Sequence, residues 1–152
     1  MNKKLKVYLD TSVISALFDR RNPDRKKTTE EFFQNIDRFD IYISDITNDE
    51  IHSMPIERIR KKMERTVAEF TVLHLSEGVQ ALGEKYIAHG AVPATQRDDA
   101  LHIAHAVMND IEYLLSWNFK HLVRLITRDI VRMVNTIDGH SQIIILTPGE
   151  IL

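Results

Sequence analysis

LKVYLD, residues 5–10, offers almost no polar face: Leu5, Val7, Tyr8 and Leu9 leave little room for solvent on either side. A short run of this kind reads as a strand buried on both faces, the environment of a parallel sheet sandwiched between helices. It stops abruptly at a carboxylate, Asp10. Thr11 and Ser12 follow and can cap a short helix over residues 13–18.

The same alternation of buried strand and helix continues along the chain. NPDR, residues 22–25, reads as a turn, and residues 26–36 as an amphipathic helix carrying Phe32, Phe33 and Ile36. FDIYI, residues 39–43, is a second strand. Ser44 to Thr47 can cap the helix that holds Glu50. Met54-Pro55 marks a break, with Pro55 suited to the first turn of a further helix. That helix has Ile56, Ile59, Met63, Val67 and Phe70 at steps of three and four, a core-facing stripe. TVLHL (71–75) is a short strand, residues 77–89 a helix, GAVPA (90–94) a loop and residues 96–109 another helix. EYLLSW (112–117) is a fourth strand, a final helix falls near 128–137, and QIIIL (142–146) closes the pattern. Five short strands separated by helices predict an α/β domain of three layers, α/β/α, around a parallel sheet of about five strands. No repeat or linker divides residues 1–152, so one domain is expected.

Composition agrees with a folded soluble chain: 43% of residues are apolar and 28% charged. There are no cysteines, which excludes disulfides and thiolate metal sites. Lys3, Lys4 and Lys6 precede an apolar stretch that ends at Asp10, too short for a signal peptide or membrane span, so a cytoplasmic location is expected. A formal net charge of −2 is low for a protein that grips long duplex nucleic acid through its phosphates. The basic residues are uneven, however, and are densest at Arg58, Arg60, Lys61, Lys62 and Arg65. That cluster reads first as a solvated helix face and second as a local ridge for phosphate contacts.

Polar residues at the carboxyl ends of buried strands point to function, because open α/β sheets bind ligands there. Asp10 ends the first strand, and its bland alternative is a helix cap. Asn118 stands just past the fourth strand, where a turn asparagine is the alternative. Glu50 lies on a short helix after the second strand. On the helix 96–109, Ala100, Ile103, Ala104 and Val107 form one face at 100° per residue, with Asp99 at its edge and Asp98 nearly opposite. Asp10, Glu50 and Asp99 gathered in one cleft would repel unless protonated or bridged by a cation, and oxygen ligands of this kind suit Mg²⁺ or Mn²⁺. His102 and His105 fall on the polar side of their helix, and His121 lies near Asn118. His102, which neighbours Asp99, could donate to it or to a phosphate, and His121 likewise, but for all three a plain surface or core-edge role is expected. Trp117 and Phe119 could stack on a base or pack the sheet end, and the second is preferred. There is no glycine-rich phosphate loop and no GxSxG nucleophile turn.

These segments resemble the motifs of the PIN-domain family. YLDTSVISALF (8–18) is similar to the first motif and implies a metal ligand at Asp10 with a supporting hydroxyl at Ser12. ISDITNDEI (43–51) is similar to the second and implies the acid Glu50. DDALHIAHAVMNDIEYLLSWNFKHL (98–122) is the strongest match, implying the third acid at Asp99 and the fourth position at Asn118, where many members carry an aspartate. The likeness runs through TPGEIL at 147–152. It implies a metal-dependent ribonuclease whose catalytic set is Asp10, Glu50, Asp99 and Asn118, the three acids binding Mg²⁺ or Mn²⁺. Short chains of this sort resemble VapC toxins, which implies an RNA substrate, a small antitoxin protein as partner and a homodimer. Three alternatives remain: a non-catalytic PIN-fold module that binds RNA or protein, a carboxylate phosphatase, and a flap-nuclease-like DNase. The neutral Asn118 favours the first. The absent DxD motif counts against the second, and the shortness of the chain against the third.

Overall fold

The computed structural model describes residues 3–152, so the first two positions of the expected domain lie outside it. Five strands form one wholly parallel sheet: β1 (Leu5–Leu9), β2 (Phe39–Ser44), β3 (Thr71–Leu73), β4 (Tyr113–Leu115) and β5 (Ile144–Leu146), in the order β3-β2-β1-β4-β5. Val7 lies opposite Ile41 on one side of β1, and Tyr8 opposite Leu114 on the other.

Strand side chains point alternately to the two faces, and both faces are covered. Val7, Leu9, Ile41, Ile43 and Leu115 pack with α1 (Thr11–Ala16), α2 (Pro23–Gln34) and α4 (Glu57–Val67). Tyr8, Leu114 and Ile145 pack with α5 (Glu77–Ala88), α6 (Arg97–Met108) and α7 (Leu125–Asp138). The short α3 (Asp45–His52) sits at the carboxyl end of the sheet and sends Ile46 into one core and Ile51 into the other. This is the expected three-layer α/β/α fold.

Several local expectations shift, each for a readable reason. The cap of α1 is Asp10 itself, whose side chain accepts from the Ser12 amide, and Thr11 and Ser12 lie inside the helix. NPDR is not a free turn: Pro23 opens α2, where its missing N–H costs nothing. Pro55 lies ahead of α4, whose capping position is Ile56. Ser44 and Thr47 form the reciprocal capping box of α3. α7 begins at Leu125 and ends at Gly139, whose φ of 73° is the left-handed cap that glycine adopts without strain.

The larger correction concerns α6. Every residue from Ala100 to Val107 is buried, including His102 and His105. Over that stretch it has no polar side: α5 and the sheet enclose it, so its two histidines are interior residues.

Candidate active site

Strand order places the site. From β1 the chain steps outward to β2 and β3, then returns across the sheet to β4 on the other flank of β1. The two halves therefore diverge at β1 and β4, and a crevice opens at their carboxyl ends. Asp10 leaves β1 there, its amide bonded to the Leu115 carbonyl at 3.0 Å. Ser116, Trp117 and Asn118 leave β4 beside it. α3 brings in Glu50 from the β2 side, and the first turn of α6 brings in Asp99.

Asp10 is only 5% exposed. Its Oδ2 accepts from the Ser12 hydroxyl at 2.6 Å, the Ser116 hydroxyl at 2.8 Å and, more weakly, the Ser12 amide at 3.4 Å. Its Oδ1 makes no hydrogen bond and stands 3.4 Å from His102 Nε2. Glu50 Oε1 accepts from the Thr11 hydroxyl at 2.9 Å and lies 2.6 Å from the same His102 nitrogen. Asp99 Oδ2 accepts from the Asn118 amide at 3.3 Å. Among the described residues, then, each of the three carboxylates has one oxygen tied down and the other without a donor.

His102 occupies the middle of this arrangement. Its Nδ1 lies 2.6 Å from the Tyr8 hydroxyl, which in turn lies 2.8 Å from Ser44 Oγ. Ser44 caps α3, so the cap of the helix and its acid Glu50 are tied to one buried ring. Full burial opposes charge on His102, but the Tyr8 oxygen, the Glu50 hydrogen bond and the charges of Asp10 and Glu50 hold its pKa well above the ordinary imidazole range. Burial likewise opposes the Glu50 charge, and His102 with Thr11 outweighs it, so the Glu50 pKa lies below its usual value. Asp99 goes the other way. Burial, reinforced by the charges of Asp10 and Glu50, pushes it up to about 6 despite His102 and Asn118. Three carboxylates against one imidazolium leave excess negative charge in the crevice.

Asp10, Glu50, Asp99 and Asn118 thus line one crevice. Asp98 is exposed and stays apart, as the helical wheel implied. Asn118 also works as a turn residue: its Oδ1 accepts from the backbone amides of Lys120 and His121 at 3.1 and 3.0 Å. Trp117 packs the sheet end and donates from Nε1 to Thr29 Oγ1 at 2.9 Å, whereas Phe119 remains 47% exposed. Three residues had no expected site role: Ser116 reads as strand, Tyr8 as core and Thr11 as a cap, yet Ser116 and Thr11 touch the acids and Tyr8 reaches them through His102. His102, expected at the surface or core edge, contacts Glu50 directly. The one usable signal was His102 standing three residues after Asp99, one helical turn along.

His105 is a second buried imidazole, 3.3 Å from Asp45 Oδ1 but without a well-formed hydrogen bond, and burial lowers its pKa. As the side chains stand, no group of three or more His, Asp or Glu residues among the described ones is arranged to hold a metal ion. Nor is any helix among them long and apolar enough to cross a membrane. The donor chemistry of the crevice nonetheless suits a hard cation. It has three carboxylates with one open oxygen each, and the repulsion among them is registered at Asp99.

A wholly parallel sheet with acidic residues at its switch point is an open α/β domain with a ligand crevice at the carboxyl ends of its strands. The chain belongs to the PIN-domain family, whose model matches residues 7–130; PIN domains are generally nucleases. In fold the chain is similar to the crystal structure of VapBC2 from Rickettsia felis bound to a DNA fragment from their promoter. The TM-score is 0.56 at 16% sequence identity, covering 75% of this chain and 89% of that chain. No curated protein matches the chain.

Proposed function

We propose that this chain is a Mg²⁺- or Mn²⁺-dependent endoribonuclease, the toxin of a type II toxin–antitoxin pair. The observation that carries the reading is the convergence of Asp10, Glu50 and Asp99 at the sheet's switch point, each with one oxygen pinned and one open. These three would hold the ion, which when bound supplies Lewis acidity toward phosphate oxygens and acidifies water. Hydrolysis adds water across the phosphorus–O3′ bond and leaves a 5′-phosphate and a 3′-hydroxyl.

The chain's own residues prepare that chemistry. Ser12 and Ser116 orient Asp10, Thr11 and His102 orient Glu50, and Asn118 orients Asp99. Such partners fix the direction of a ligand and are worth as much as a tenfold to hundredfold change in affinity or activity. Asn118 brings an amide where an acid would add charge, and that amide serves Asp99. Likeness to a VapBC2 structure supports a small antitoxin as partner, and a homodimer accompanies that reading.

A second reading is a PIN-fold module that binds RNA or protein without turnover. It is favoured by His102, whose ring nitrogen lies between Asp10 and Glu50 and already supplies a cation to both. One experiment separates the two. Purified protein is incubated with single-stranded and structured RNAs in Mg²⁺, Mn²⁺ or EDTA, with Asp10→Asn as control. Cleavage that needs metal and is lost in the variant supports the nuclease. Equal cleavage in EDTA, or by Asp10→Asn, refutes it, and a folded, metal-binding protein that cleaves nothing points to the binding module.

A further inference from the structure

A cavity of about 740 Å³ opens between the α1–α2 connection and α4. Its floor is apolar, with Phe18, Met54, Ile59 and Met63 among the lining residues. Its rim is basic. Arg21 and Lys26 on that rim are paired, with Asp19 and Glu30 at 3.0 Å each. Arg20, Arg58 and Lys62 make no ion pair among the described residues and line the same cavity.

The basic run on α4 therefore divides in two. Lys61 pairs with Glu57 at 3.0 Å, and Arg60 reaches Glu64 at 3.7 Å and the Met54 carbonyl at 2.9 Å, as solvated helix faces commonly do. Arg58 and Lys62, one turn apart, have no such neighbours and face the cavity. Unpaired cations on a concave wall raise the local potential and concentrate anions. An anion that also covers an apolar floor must carry flat or apolar groups along with its charges.

Position narrows the choice further. Ser15 lines the cavity and belongs to the same short helix that Asp10 caps, about 8 Å away along the axis. Met54 lies just beyond α3, which carries Glu50. Two elements that carry the acids, α1 and α3, thus also reach the cavity. Resting on the ribonuclease reading, we propose that this cleft receives the unpaired nucleotides adjoining the scissile phosphate. Arg20, Arg58 and Lys62 hold phosphates, while Phe18 and its aliphatic neighbours take the bases. A duplex keeps its bases stacked inside and cannot offer them to such a floor, so the substrate must be single-stranded on this side.

The test is fluorescence anisotropy of a labelled RNA oligonucleotide, alone or annealed to its complement, with the wild-type chain in EDTA. It is repeated with Arg58→Ala/Lys62→Ala and with Lys61→Ala, each first shown by thermal melting to be folded. The double variant is expected to bind the single strand about tenfold or more weakly, with its log–log salt slope shallower by about 1.4 for two lost phosphate contacts. Lys61→Ala is expected to change binding less than about twofold, because surface changes away from the contact matter little. Equal losses in both variants, unchanged binding in the double variant, or equal binding of the duplex would overturn the proposal. So would intact RNA binding combined with loss of a co-purifying protein partner, which would reassign the cleft to protein docking. Cleavage assays keep the two readings apart. Wild-type cleavage with unimpaired cleavage by the double variant removes the cleft and leaves the nuclease. Cleft binding without any metal-dependent cleavage removes the nuclease and leaves the cleft.

Discussion

Asp99→Asn should make the metal-free protein more stable at neutral pH while removing an acid the proposed chemistry needs. The reasoning starts from the Asp99 carboxyl, which burial and the charges of Asp10 and Glu50 move from an ordinary value of 3.8 up to about 6. Between those two values the folded state binds a proton that the unfolded state has released, so stability falls as pH rises through the window. Above it the loss is complete, and below 3.8 both states are protonated and nothing is lost. At about 1.4 kcal/mol per tenfold change the full effect is about 3 kcal/mol, and partial exposure of the side chain reduces it to roughly 1–2 kcal/mol. Asparagine resembles the protonated acid and keeps an oxygen to accept from Asn118. For a chain of this length each kcal/mol moves Tm by about 2–4 °C, so Asp99→Asn should melt roughly 2–8 °C higher in EDTA at pH 7.5. The advantage should shrink through pH 6 and vanish near pH 4. Melting curves of both proteins across that range provide the check. A variant no more stable than wild type at pH 7.5, or an advantage that persists at pH 4, would show that the carboxylates do not repel as their placement implies.

Three further outcomes follow from the same geometry. Tyr8→Phe removes the hydroxyl beside His102 Nδ1 and leaves that buried nitrogen unpartnered; the cost should be about 1–3 kcal/mol, read from denaturant midpoints, and an unchanged midpoint would deny the buried network its role. Ser116→Ala takes one of the two hydroxyl donors from Asp10 Oδ2 and the acceptor of the Asn118 amide without touching the open oxygen, so RNA cleavage should fall roughly tenfold, with a stability cost of about 1–3 kcal/mol read from the same denaturant midpoints. Asp98→Ala, exposed in the first turn of α6, should alter cleavage less than about twofold where Asp99→Ala costs roughly a hundredfold, and comparable losses would reject the assignment of Asp99 as the inward acid.

Asp10 shows that a structural and a chemical role need not compete. Viewed in the sequence it could be a cap or a ligand. In the fold its Oδ2 serves the amide and hydroxyl of Ser12, and its Oδ1 stays open to the crevice. Asn118 is similar, closing a turn with its oxygen and holding Asp99 with its nitrogen. Both residues use two atoms of one side chain for different ends, which residue type alone does not reveal.

What the sequence determined by itself was the architecture and the end of the sheet at which its acids lie. Buried strands such as LKVYLD carry their own signature, because a segment with no polar face has only the middle of a covered parallel sheet to occupy. Acids placed just after such strands, or on the helix edge, are drawn to one end of the sheet by chain direction alone, and so Asp10, Glu50 and Asp99 could be chosen before any coordinates. Only the tertiary structure decided what surrounds them. A helical wheel assigns His102 and His105 to a polar side, but from Ala100 to Val107 α6 is enclosed by α5 and the sheet, and a stretch buried all round has no such side. Ser116 meets Asp10 across 106 residues of chain, and Tyr8 meets His102 across 94. Contacts at that separation arise from strand order, and local pattern carries no information about which strand ends lie side by side.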